Sequence, residues 1–481
     1  MFNTEVLREK ILLLAMQGKL VQQKETDGTS GDLLKNIKLE RIQQSGNKKI
    51  KTLPSITSDQ MIFDIPKTWE WVHVGDIFKH SSGKALNSKN TEGHLLSYIT
   101  TSNLYWNRFV LDDLREMYYK DSELEKCTAH KGDLLVCEGG DIGRAAIWSY
   151  EYDIRIQNHI HKLTPYGSVS VKFYYYCFYL YKKLGLIGGK GIALQGLSAN
   201  ALAMLVFPLP PVTEQIRIVE KIEEIFDLLE KIDKSTESYE QEKLKLNQKI
   251  LEAAIQGKLV EQLVEEGSAE ELYNQIQEEK KKLISEKRIK KEKQLAPIIE
   301  EDIPFDLPIS WKWVRLSDIC CIMNGDRGKN YPAKHTLIDK GIPFISALNI
   351  QNGTIVKDDK LKCMTQQQYD KLGAGKLIKG DVVLCIRGSL GKHGIYPFNS
   401  GAIASSLVIL RSFCSELSEY ISLYLDSDLF QNEISKYVNG VAQPNLAAKD
   451  LASFIIPLPP QKEIIRMIHR CNELRGLGYC R

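Results

Sequence analysis

The chain lacks the sequence signatures of several enzyme classes. Its 481 residues contain no GxxxxGK[ST] phosphate-binding loop, no proline followed by aspartate and no segment resembling NPPY. These absences argue against an ATP-driven motor, a nuclease of the PD...(D/E)xK kind and a DNA amino-methyltransferase. The segment GLIGGKG at 185–191 is one residue short of a phosphate loop and lacks the hydroxyl that holds magnesium. We therefore expect no catalytic site in this chain.

CxxC motifs and long apolar runs are also missing. None of the ten cysteines forms a CxxC pair and no signal peptide is recognisable, so we expect reduced thiols and a cytoplasmic location. No run approaches the roughly 18 apolar residues that a membrane helix needs. Cys137 and Cys385 occupy equivalent places in apolar runs, which predicts burial in a core. The formal net charge of +3 favours no class of partner.

One histidine pair has a spacing that metal sites use. His159 and His161 alternate by two residues, so they would share one face of a strand and could bind a metal ion. No third ligand recurs nearby in the sequence. We therefore expect no metal.

What the sequence does contain is a repeat of itself. The segment KILLLAMQGKLVQQ at 10–23 returns as KILEAAIQGKLVEQ at 249–262, with 10 of 14 positions identical. Three further landmarks recur in the same order: IPKTWEWVHVGDIF at 65–78 as LPISWKWVRLSDIC at 307–320, GDLLVCEGGDIG at 132–143 as GDVVLCIRGSLG at 380–391, and PLPP at 208–211 and 457–460. A period of about 240 residues is too long for a solenoid unit and indicates two whole domains.

The two ends of the chain together rebuild its middle. A polar, heptad-patterned stretch follows the first PLPP over 212–262, but only 461–481 follows the second. Segment 1–23 supplies the second part of that stretch, so the repeat is circularly permuted. Such a permutation predicts that the termini lie close in space.

Apolar residues at alternating spacings of four and three predict a long coiled-coil helix in the middle of the chain. The seam positions are Ile218, Ile222, Ile225, Leu229, Ile232, Thr236, Tyr239, Lys243, Leu246, Ile250 and Ala253. The seam returns at the ends of the chain as Leu7, Ile11 and Leu14 and as Met467, Cys471 and Leu474. We expect the two ends to form a composite helix that pairs antiparallel with the central one. Two separate amphipathic helices, each packed on its own domain, are the alternative.

These patterns predict an α+β fold with a pseudo-twofold repeat. Two mixed α/β domains in tandem are separated by two long antiparallel coiled-coil helices. The predicted boundaries are domains at 59–211 and 302–460, a central helix at 212–262, a linker at 24–58, a charged helical linker at 263–301, and the two parts of the second helix at 1–23 and 461–481. Strands are predicted at 134–137, 382–386 and 404–410, and helices at 171–184 and 417–434.

Two local features qualify this scheme. The chain ends in ELRGLGYCR where the central copy reads EIFDLLEKID, and the glycines predict a frayed last turn, as in a truncated or frameshifted terminus. The run at 278–293 carries eight basic and four acidic residues. It is interpreted either as a solvated helix face or as a phosphate-contacting strip.

Four tryptophans mark the entry to the two domains. Trp69, Trp71, Trp311 and Trp313 are better interpreted as packing that fixes the entry strand than as base-stacking platforms, because tryptophan buries a large area.

Glycine-bounded loops rich in Arg, Lys, Asn, Ser and Thr occur at 83–90, 100–108 and 325–331. Such side chains contact phosphates and pair with base edges, arginine or lysine with guanine and asparagine or glutamine with adenine. Surface loops in general have a similar composition, so the loops alone do not establish DNA binding.

Taken together, the repeated pieces resemble the specificity subunit of Type I restriction-modification systems over nearly the whole chain. The residues that carry the resemblance are the paired QGKLV segments, IPKTWEW and LPISWKW, the two GD-initiated segments, and the segments ending in PLPP at 197–219 and 445–468. The resemblance implies two target recognition domains that each read half of a bipartite site in double-stranded DNA. It also implies spacer helices that dock two methyltransferase subunits, with restriction and translocase subunits joining outside. It implies no cofactor on this chain, with S-adenosylmethionine, ATP and magnesium on the partner subunits.

The candidate DNA-contacting residues follow from the loops and the resemblance together. They are Lys84, Asn87, Lys89, Asn90, Thr101, Asn103, Arg144 and Asn158 in the first domain, and Arg327, Lys329, Asn330, Asn349, Arg387, Lys392, Ser405 and Asn445 in the second. Arg144 and Lys392 are favoured because they occupy equivalent positions beside a glycine, where backbone can approach a phosphate. For each residue, a solvated loop position is the alternative. Since the two domains differ outside the landmarks, an asymmetric target is expected.

Two other functions remain as alternatives. One is a self-sufficient restriction enzyme with an unrecognised catalytic site, and the other is a structural adaptor that joins proteins without touching DNA. Methyl transfer or cleavage by the chain alone favours the first, and the absence of salt-dependent DNA binding favours the second.

Overall fold

The chain divides into two units, Met1–Thr236 and Glu237–Arg481. The structure is a computed structural model that describes residues 3–45, 52–87, 89, 91–187, 197–291, 294–351, 353–356, 361–438 and 445–477. The boundary between the units falls within one helix, Val212–Ile255. None of the described helices is both long and apolar enough to cross a lipid bilayer.

The first unit contains seven α-helices, counting the one that crosses the boundary, and twelve strands in its described residues. The helices are α1 Thr4–Met16, α2 Ser30–Ser45, α3 Val74–Ile77, α4 Asp121–Cys127, α5 Val171–Lys183, α6 Ala199–Met204 and α7 Val212–Ile255. The strands are β1 Glu70–His73, β2 Phe78–Ser82, β3 His94–Ile99, β4 Leu104–Tyr105, β5 Arg108–Phe109, β6 Arg115–Tyr119, β7 Thr128–Ala129, β8 Leu134–Cys137, β9 Ala145–Ile147, β10 Ile154–Ile156, β11 Ile160–Pro165 and β12 Val206–Leu209.

The second unit repeats this order of elements after the end of α7. Its helices are α8 Ala269–Ser285, α9 Leu316–Ile319, α10 Gln366–Lys371, α11 Leu417–Asp426, α12 Asp428–Val438, α13 Ala448–Ser453 and α14 Gln461–Leu477. Its strands are β13 Lys312–Arg315, β14 Cys320–Asn324, β15 Ile342–Ile345, β16 Ile350–Gln351, β17 Gly353–Ile355, β18 Cys363–Met364, β19 Lys376–Leu377, β20 Val382–Cys385, β21 His393–Ile395, β22 Gly401–Ile403, β23 Leu407–Ser412 and β24 Ile455–Leu458.

The sheets of the two units share one topology. One sheet has the order β2-β11-β8-β9 in the first unit, and the second unit has β14-β23-β20-β21 extended by β17 and β16. The other has the order β6-β3-β10-β7 in the first unit and β18-β15-β22-β19 in the second. Its central pair is parallel in both units, β3 with β10 and β15 with β22, and the remaining pairs are antiparallel. The predicted mixed α and β tandem repeat is therefore confirmed.

The entry strand of each unit pairs with the strand that leaves it. In the first unit β1 pairs antiparallel with β12, which places Trp71 opposite Pro208. In the second unit β13 pairs with β24, which places Trp313 opposite Pro457. Entry and exit of each domain are thus adjacent, although about 140 residues separate them in the chain. The expectation that the tryptophans fix the entry strand is confirmed, since Trp69 and Trp311 are buried and the other two pack on phenylalanine rings.

A buried glutamate fastens three distant segments of the first unit. Glu214, in the first turn of α7, is 1% exposed. One of its carboxylate oxygens accepts a hydrogen bond from Trp69 Nε1 at 2.9 Å, and the other accepts one from Gln23 Nε2. Thr68 Oγ1 donates to Gln23 Oε1 at 3.1 Å. We call Gln23, Trp69 and Glu214 the glutamate clamp of this unit.

The second unit contains the same clamp at equivalent positions. Glu463, in the first turn of α14, is 1% exposed and accepts hydrogen bonds from Trp311 Nε1 at 3.0 Å and Gln262 Nε2 at 2.6 Å. Ser310 Oγ donates to Gln262 Oε1 at 2.9 Å. Burial raises the pKa of both clamp glutamates, Glu463 and its counterpart Glu214. The donors keep these oxygens hydrogen-bonded in an apolar surrounding, where an unsatisfied carboxylate is costly.

The terminal helices pack on the halves of α7 that belong to their own units. In the first unit, Ile11 and Met16 of α1 share a core with Ile218 and Ile222 of α7. The two helices are antiparallel, since Thr4 and Arg8 at the start of α1 bond to Asp233 while Gln23 bonds to Glu214. In the second unit, Ile250 and Ile255 of α7 share a core with Met467 and Cys471 of α14. Each terminal helix also contacts its own domain, α1 through α5 and α14 through α11.

The predicted heptad seam is buried only at its two ends. Ile218, Ile222, Leu229 and Ile250 are buried, whereas Ile232, Tyr239 and Leu246 are exposed. The first contact of α1, from Thr4 to Asp233, marks where the partner helix begins, so α1 places no residue opposite α7 beyond that point.

The central helix predicted at 212–262 ends at Ile255, and the helix predicted within 1–23 ends at Met16. Two further elements differ from those in the structure, and one helix was not predicted. The linker predicted at 24–58 contains α2, which places Ile37 in the core of the first unit. The helix predicted at 417–434 is two helices, because Ser427 ends α11 and its Oγ accepts from Phe430 N at 3.4 Å at the start of α12. The strand predicted at 404–410 starts at Leu407, after a turn closed by Leu407 N and Ala404 O. The strand at 134–137 and the helix at 171–184 are confirmed to within one residue.

The basic run lies on and after α8. Lys281 and Lys282 are exposed and pair with glutamates one turn earlier, Glu278 and Glu279, which favours the solvated-face interpretation for this part. Lys280 instead donates to Ser317 O at 2.7 Å. At the other end of the chain, α14 continues through Gly476 to Leu477, and 478–481 lie outside the described residues.

An ion pair beside the clamp allows a test of pH-dependent stability. Arg217 donates to both carboxylate oxygens of Asp27 at 2.7 Å, and this lowers the pKa of Asp27 to about 2. The folded pKa lies below the usual value near 3.9, so the stabilisation is present above about pH 4 and is lost as the pH falls through about 2. We expect Asp27→Asn to lower the free energy of unfolding by about 2 kcal/mol at pH 7.

Urea unfolding followed by tryptophan fluorescence measures this loss, with the exposed Glu25→Gln as the matched control. The difference between Asp27→Asn and the unsubstituted chain should shrink as the pH falls below 4. A loss that stayed constant down to pH 2 would show that the ion pair is not its cause.

A second test concerns Gly257, which lies five residues before the clamp glutamine Gln262 of the second unit. Gly257 has φ +70°, and a Cβ there lies 2.5 Å from Pro308 Cγ. Gly380 also has positive φ, +91°, but a Cβ there meets no atom within 4 Å. Gly380→Ala should cost about 1–2 kcal/mol of unfolding free energy, and Gly257→Ala about 1–3 kcal/mol more. Equal losses in denaturant unfolding would contradict the close packing of Gly257 on Pro308.

Candidate nucleic-acid interface

Four loops of each unit meet at one edge of its sheets. In the first unit they follow β2 (83–93), β3 (100–103), β8 (138–144) and β10 (157–159). In the second they follow β14 (325–341), β15 (346–349), β20 (386–392) and β22 (404–406). The parallel central pair explains part of this, because parallel strands end at the same edge of a sheet. We call each set of four loops the loop face of its unit.

Backbone contacts hold each loop face together. In the first unit Lys84 forms a β-bridge with Gln157, and Glu138 N donates to His159 O at 2.9 Å. Gly83 permits the first approach, since a Cβ there lies 2.1 Å from Ile156 O. In the second unit Ile386 N donates to Ser406 O at 3.0 Å. Apart from Asn445, which precedes α13, and Asn90, which lies outside the described residues, every candidate lies on one of the two loop faces.

Two candidate asparagines close equivalent turns. Asn103 Oδ1 accepts from the backbone N and the hydroxyl of Thr100, both at 2.9 Å, and its Nδ2 donates to Val110 O. Asn349 Oδ1 accepts from the backbone N and hydroxyl of Ser346 at the same distances. Asn349 is 8% exposed. In each unit the asparagine Oδ1 thus shapes the loop that follows β3 or β15.

Arg144 and Lys392, the favoured candidates, fasten the same loop in the two units. Arg144 Nη2 donates to Thr101 O at 2.6 Å, and its guanidinium lies over the Tyr105 ring at 4.9 Å. Lys392 Nζ donates to Ala347 O at 2.9 Å. Arg144 and Lys392 are therefore equivalent in the structure as well as in the sequence, and each bonds to a carbonyl of its own unit. Thr101 takes part through its backbone carbonyl.

Lys84 is similarly engaged. Its Nζ donates to Tyr118 O at 2.8 Å and pairs with Glu123 at 2.5 Å, and its side chain is 11% exposed. The hydrogen bond from Lys84 lowers the pKa of Glu123. In the same loop Asn87 and Lys89 are exposed, and Asn87 Oδ1 accepts from Lys89 N at 3.1 Å. Asn158 is half-buried and donates its backbone N to Lys84 O.

The second unit brings three candidates, Arg327, Arg387 and Asn445, to one cleft of about 280 Å³. Arg387 Nε donates to Asn445 Oδ1 at 2.8 Å, and Arg327 Nη2 lies 3.4 Å from Ser405 O. The cleft is lined by Asn324, Arg327, Ile386, Arg387, Asn445, Leu446, Ala447, Ala448 and Lys449. Its lining includes three cations and no carboxylate. Lys329 is exposed nearby in sequence, whereas Asn330 Nδ2 donates to Lys371 O at 2.8 Å.

Sequence reasoning missed two polar residues of this cleft. Lys449 lies four residues after Asn445, and Asn324 immediately precedes the glycine-bounded loop at 325–331. The PLPP landmark and its preceding helix could have indicated Lys449. In the first unit, sequence reasoning missed Arg108 and Tyr105. The Arg108 Cζ lies 5.1 Å from the centre of the Tyr105 ring in the hairpin β4–β5.

The histidine pair is divided between the interior and the surface. His161 is buried, with Nδ1 2.9 Å from His80 Nε2 and Nε2 bonded to Leu197 O. His159 is exposed, with Nδ1 3.6 Å from Glu138. The desolvation of His80 lowers its pKa to about 4. In the ranges that the structure describes, no group of three His, Cys, Asp or Glu residues is placed to hold a metal ion.

Comparisons with known proteins agree with the fold and with the repeat. The profile of the family described as "Type I restriction modification DNA specificity domain" matches residues 66–248 and 308–473. The chain is 26% identical to the Type I restriction enzyme EcoAI specificity subunit of Escherichia coli, with 98% of this chain and 89% of the relative covered. It is 25% identical to the EcoEI specificity subunit of the same organism, over 99% and 91%.

Two solved structures share the fold. A chain from work on complex assembly and conformational transition of the type I R-M system superposes with a TM-score of 0.58 at 18% identity, covering 87% of this chain and 92% of that one. The HsdS subunit from Thermoanaerobacter tengcongensis gives a TM-score of 0.52 at 16% identity, with the same shares covered.

The geometry of Lys392 separates a fastening role from a phosphate contact. We expect Lys392→Met to lower the free energy of unfolding by about 1–2 kcal/mol through loss of the charged hydrogen bond to Ala347 O. The slope of log K against log salt for duplex DNA should stay unchanged. The matched control is Lys379→Met, at an exposed lysine of the same unit. A slope reduced by about one with stability unchanged would instead place Lys392 on a phosphate.

Proposed function

Because the chain belongs to the family of Type I restriction modification DNA specificity domains, we propose that each unit reads one half of a bipartite DNA target. The chain is a sequence-specificity subunit of a Type I restriction-modification complex, and it is a non-catalytic component of that complex. The residues that read DNA and the division of the target between the units are the proposal.

The observation that carries the proposal is the duplicated loop face. Both units place the same four loops at the same sheet edge, and they hold them with equivalent contacts, Arg144 to Thr101 and Lys392 to Ala347. The side chains that these loops expose are different. Equal support with unequal exposed groups is what two readers of two unlike half-sites require. An asymmetric target follows.

The candidate residues separate into two groups by their contacts. The side chains or carbonyls already engaged within a unit position the loops: Lys84, Thr101, Asn103, Arg144, Asn330, Asn349 and Lys392. The remaining described candidates are proposed to meet DNA: Asn87, Lys89 and Asn158 in the first unit, and Arg327, Lys329, Arg387, Ser405 and Asn445 in the second. Asn90 stays a sequence-based candidate.

The partner subunits are proposed to dock along α7. This helix exposes the large apolar side chains Leu228, Ile232, Tyr239, Leu244 and Leu246. Several large exposed apolar residues on one helix indicate an interaction surface. The occupants proposed are two methyltransferase subunits, with restriction and translocase subunits outside them. S-adenosylmethionine, ATP and magnesium are proposed to bind those partners, and no cofactor is proposed for this chain.

Exchanging one domain tests the division of the target. Residues 59–211 are replaced by the equivalent domain of a relative with another specificity, and the methylated sequence motif is determined in cells that carry the full complex. We expect one half of the motif to change and the other half to persist. Exchange of 302–460 is the matched control and should change the opposite half.

Methylation of an unchanged motif after either exchange would contradict the proposal. The purified chain with DNA, magnesium and S-adenosylmethionine should show neither methyl transfer nor cleavage. Either activity without partner subunits would identify a self-sufficient enzyme. Absence of salt-dependent binding to duplex DNA would favour the adaptor.

A further inference from the structure

We infer that Arg387 reads a guanine in the half-site of the second unit, and that the first unit has no guanine reader at the equivalent place. The inference rests on the proposed function of the units as readers of separate half-sites. It adds the base that one of them selects and the residue that selects it.

The backbone that carries Arg387 is fixed on both sides. The preceding residue, Ile386, donates its N to Ser406 O at 3.0 Å and accepts at its O from Leu446 N at 3.0 Å. The turn that follows is closed by Gly391 N, which donates to Cys385 O at 3.0 Å. Arg387 therefore leaves the sheet edge from a rigid base, held between the loop at 404–406 and the segment before α13. Base readout needs such fixed placement, because the side chain must meet a base edge in one geometry.

A neighbouring amide orients the guanidinium. Asn445 Oδ1 accepts from Arg387 Nε at 2.8 Å, and the two residues also form a β-bridge. Among the residues that the structure describes, neither terminal nitrogen of Arg387 donates a hydrogen bond, and the residue is exposed. The held Nε fixes the plane of the group and leaves the two parallel N–H donors of the terminal nitrogens available. That fork matches O6 and N7 of guanine in the major groove.

The charges around Arg387 favour a nucleic acid at this cleft. Arg327 and Lys449 line the same cleft, whose lining contains no acidic side chain. Two cations beside one oriented arginine suit two phosphates beside one base. Asn324 adds an amide that can donate a hydrogen bond to an acceptor on the nucleic acid.

The first unit has different groups at every one of these positions. Aligning GDLLVCEGG with GDVVLCIRGS places Gly139 at Arg387 and Glu138 at Ile386. The counterparts of Arg327 and Lys449 are Ala85 and Asn200. At the position of Ile386 the first unit has the Glu138 carboxylate, 3.6 Å from His159 Nδ1. A carboxylate accepts from cytosine N4 and repels phosphate, so this place in the first unit does not suit guanine.

The first step of the test determines the methylated motif of the unsubstituted complex in its host. The complex is then purified, and its affinity is measured for duplexes in which each guanine of either half-site is replaced in turn by adenine, cytosine or thymine. Arg387→Ala and Asn445→Ala are compared with Lys449→Ala, a cation of the same cleft. Thermal unfolding of each variant confirms that the exposed substitutions leave the fold intact.

We expect one guanine of the second half-site to be preferred by about 5- to 150-fold over other bases, and Arg387→Ala to abolish that preference. Asn445→Ala should reduce it partly, because Arg387 Nε is then unsupported. The bases selected in the first half-site should not change. Lys449→Ala should weaken binding to every sequence alike and reduce the salt slope by about one.

Other outcomes separate this inference from the proposed function. A second half-site without guanine, or Arg387→Ala that weakens all sequences alike, would overturn the guanine assignment and leave two half-site readers in place. A motif without two separate halves would overturn the proposed function itself. Loss of a guanine preference in the first half-site on Arg387→Ala would overturn the assignment of Arg387 to the second half-site.

Discussion

Each unit depends on one buried carboxylate that must keep its hydrogen-bond donors. Glu214 and Glu463 lie in the first turn of a helix, where the unpaired backbone N–H groups favour a negative charge, yet both are almost fully removed from water. A buried carboxylate is tolerated when tryptophan and glutamine supply donors, and removal of a donor leaves an uncompensated buried charge. The two donors come from segments 145 and 191 residues away in the first unit, and 152 and 201 in the second. In each unit the clamp therefore joins the segment of α7, the segment of the terminal helix (α1 or α14) and the entry to the domain at one point.

With entry and exit fixed, the rest of each domain can vary. The paired strands β1 with β12 and β13 with β24 close the domain beside the clamp, and both units build the same two sheets from that closure. Equivalent positions carry an arginine in one unit and a lysine in the other, Arg144 and Lys392, and both bond to the carbonyl of the same loop. What differs is the set of side chains that the loop faces expose. For example, the second unit has Arg387 where the first unit has Gly139. The duplication preserves the support and changes the reader.

The sequence predicted the frame better than the site. The repeat predicted two mixed α and β domains in tandem, and the apolar run at 134–137 predicted a strand with both bounds correct. Local patterns could not show α2, whose apolar face becomes useful only when Ile37 reaches the core. For Arg144 and Lys392 the sequence showed equivalence beside a glycine, but not the loop carbonyls 43 and 45 residues away that they bond. The spacing of four and three continued through Tyr239 and Leu246, yet a seam is buried only where a partner helix lies opposite.

The central claim is that two loop faces on equivalent frames read two halves of one target. The most direct measurement is a cryo-EM structure of the full complex on a duplex that contains its own methylated motif. We predict each loop face against the base edges of a separate half-site, with the accessible candidates of that face within hydrogen-bond distance of DNA. A complex in which one unit leaves its loop face free of DNA, or in which DNA contacts the opposite faces of the domains, would contradict the claim.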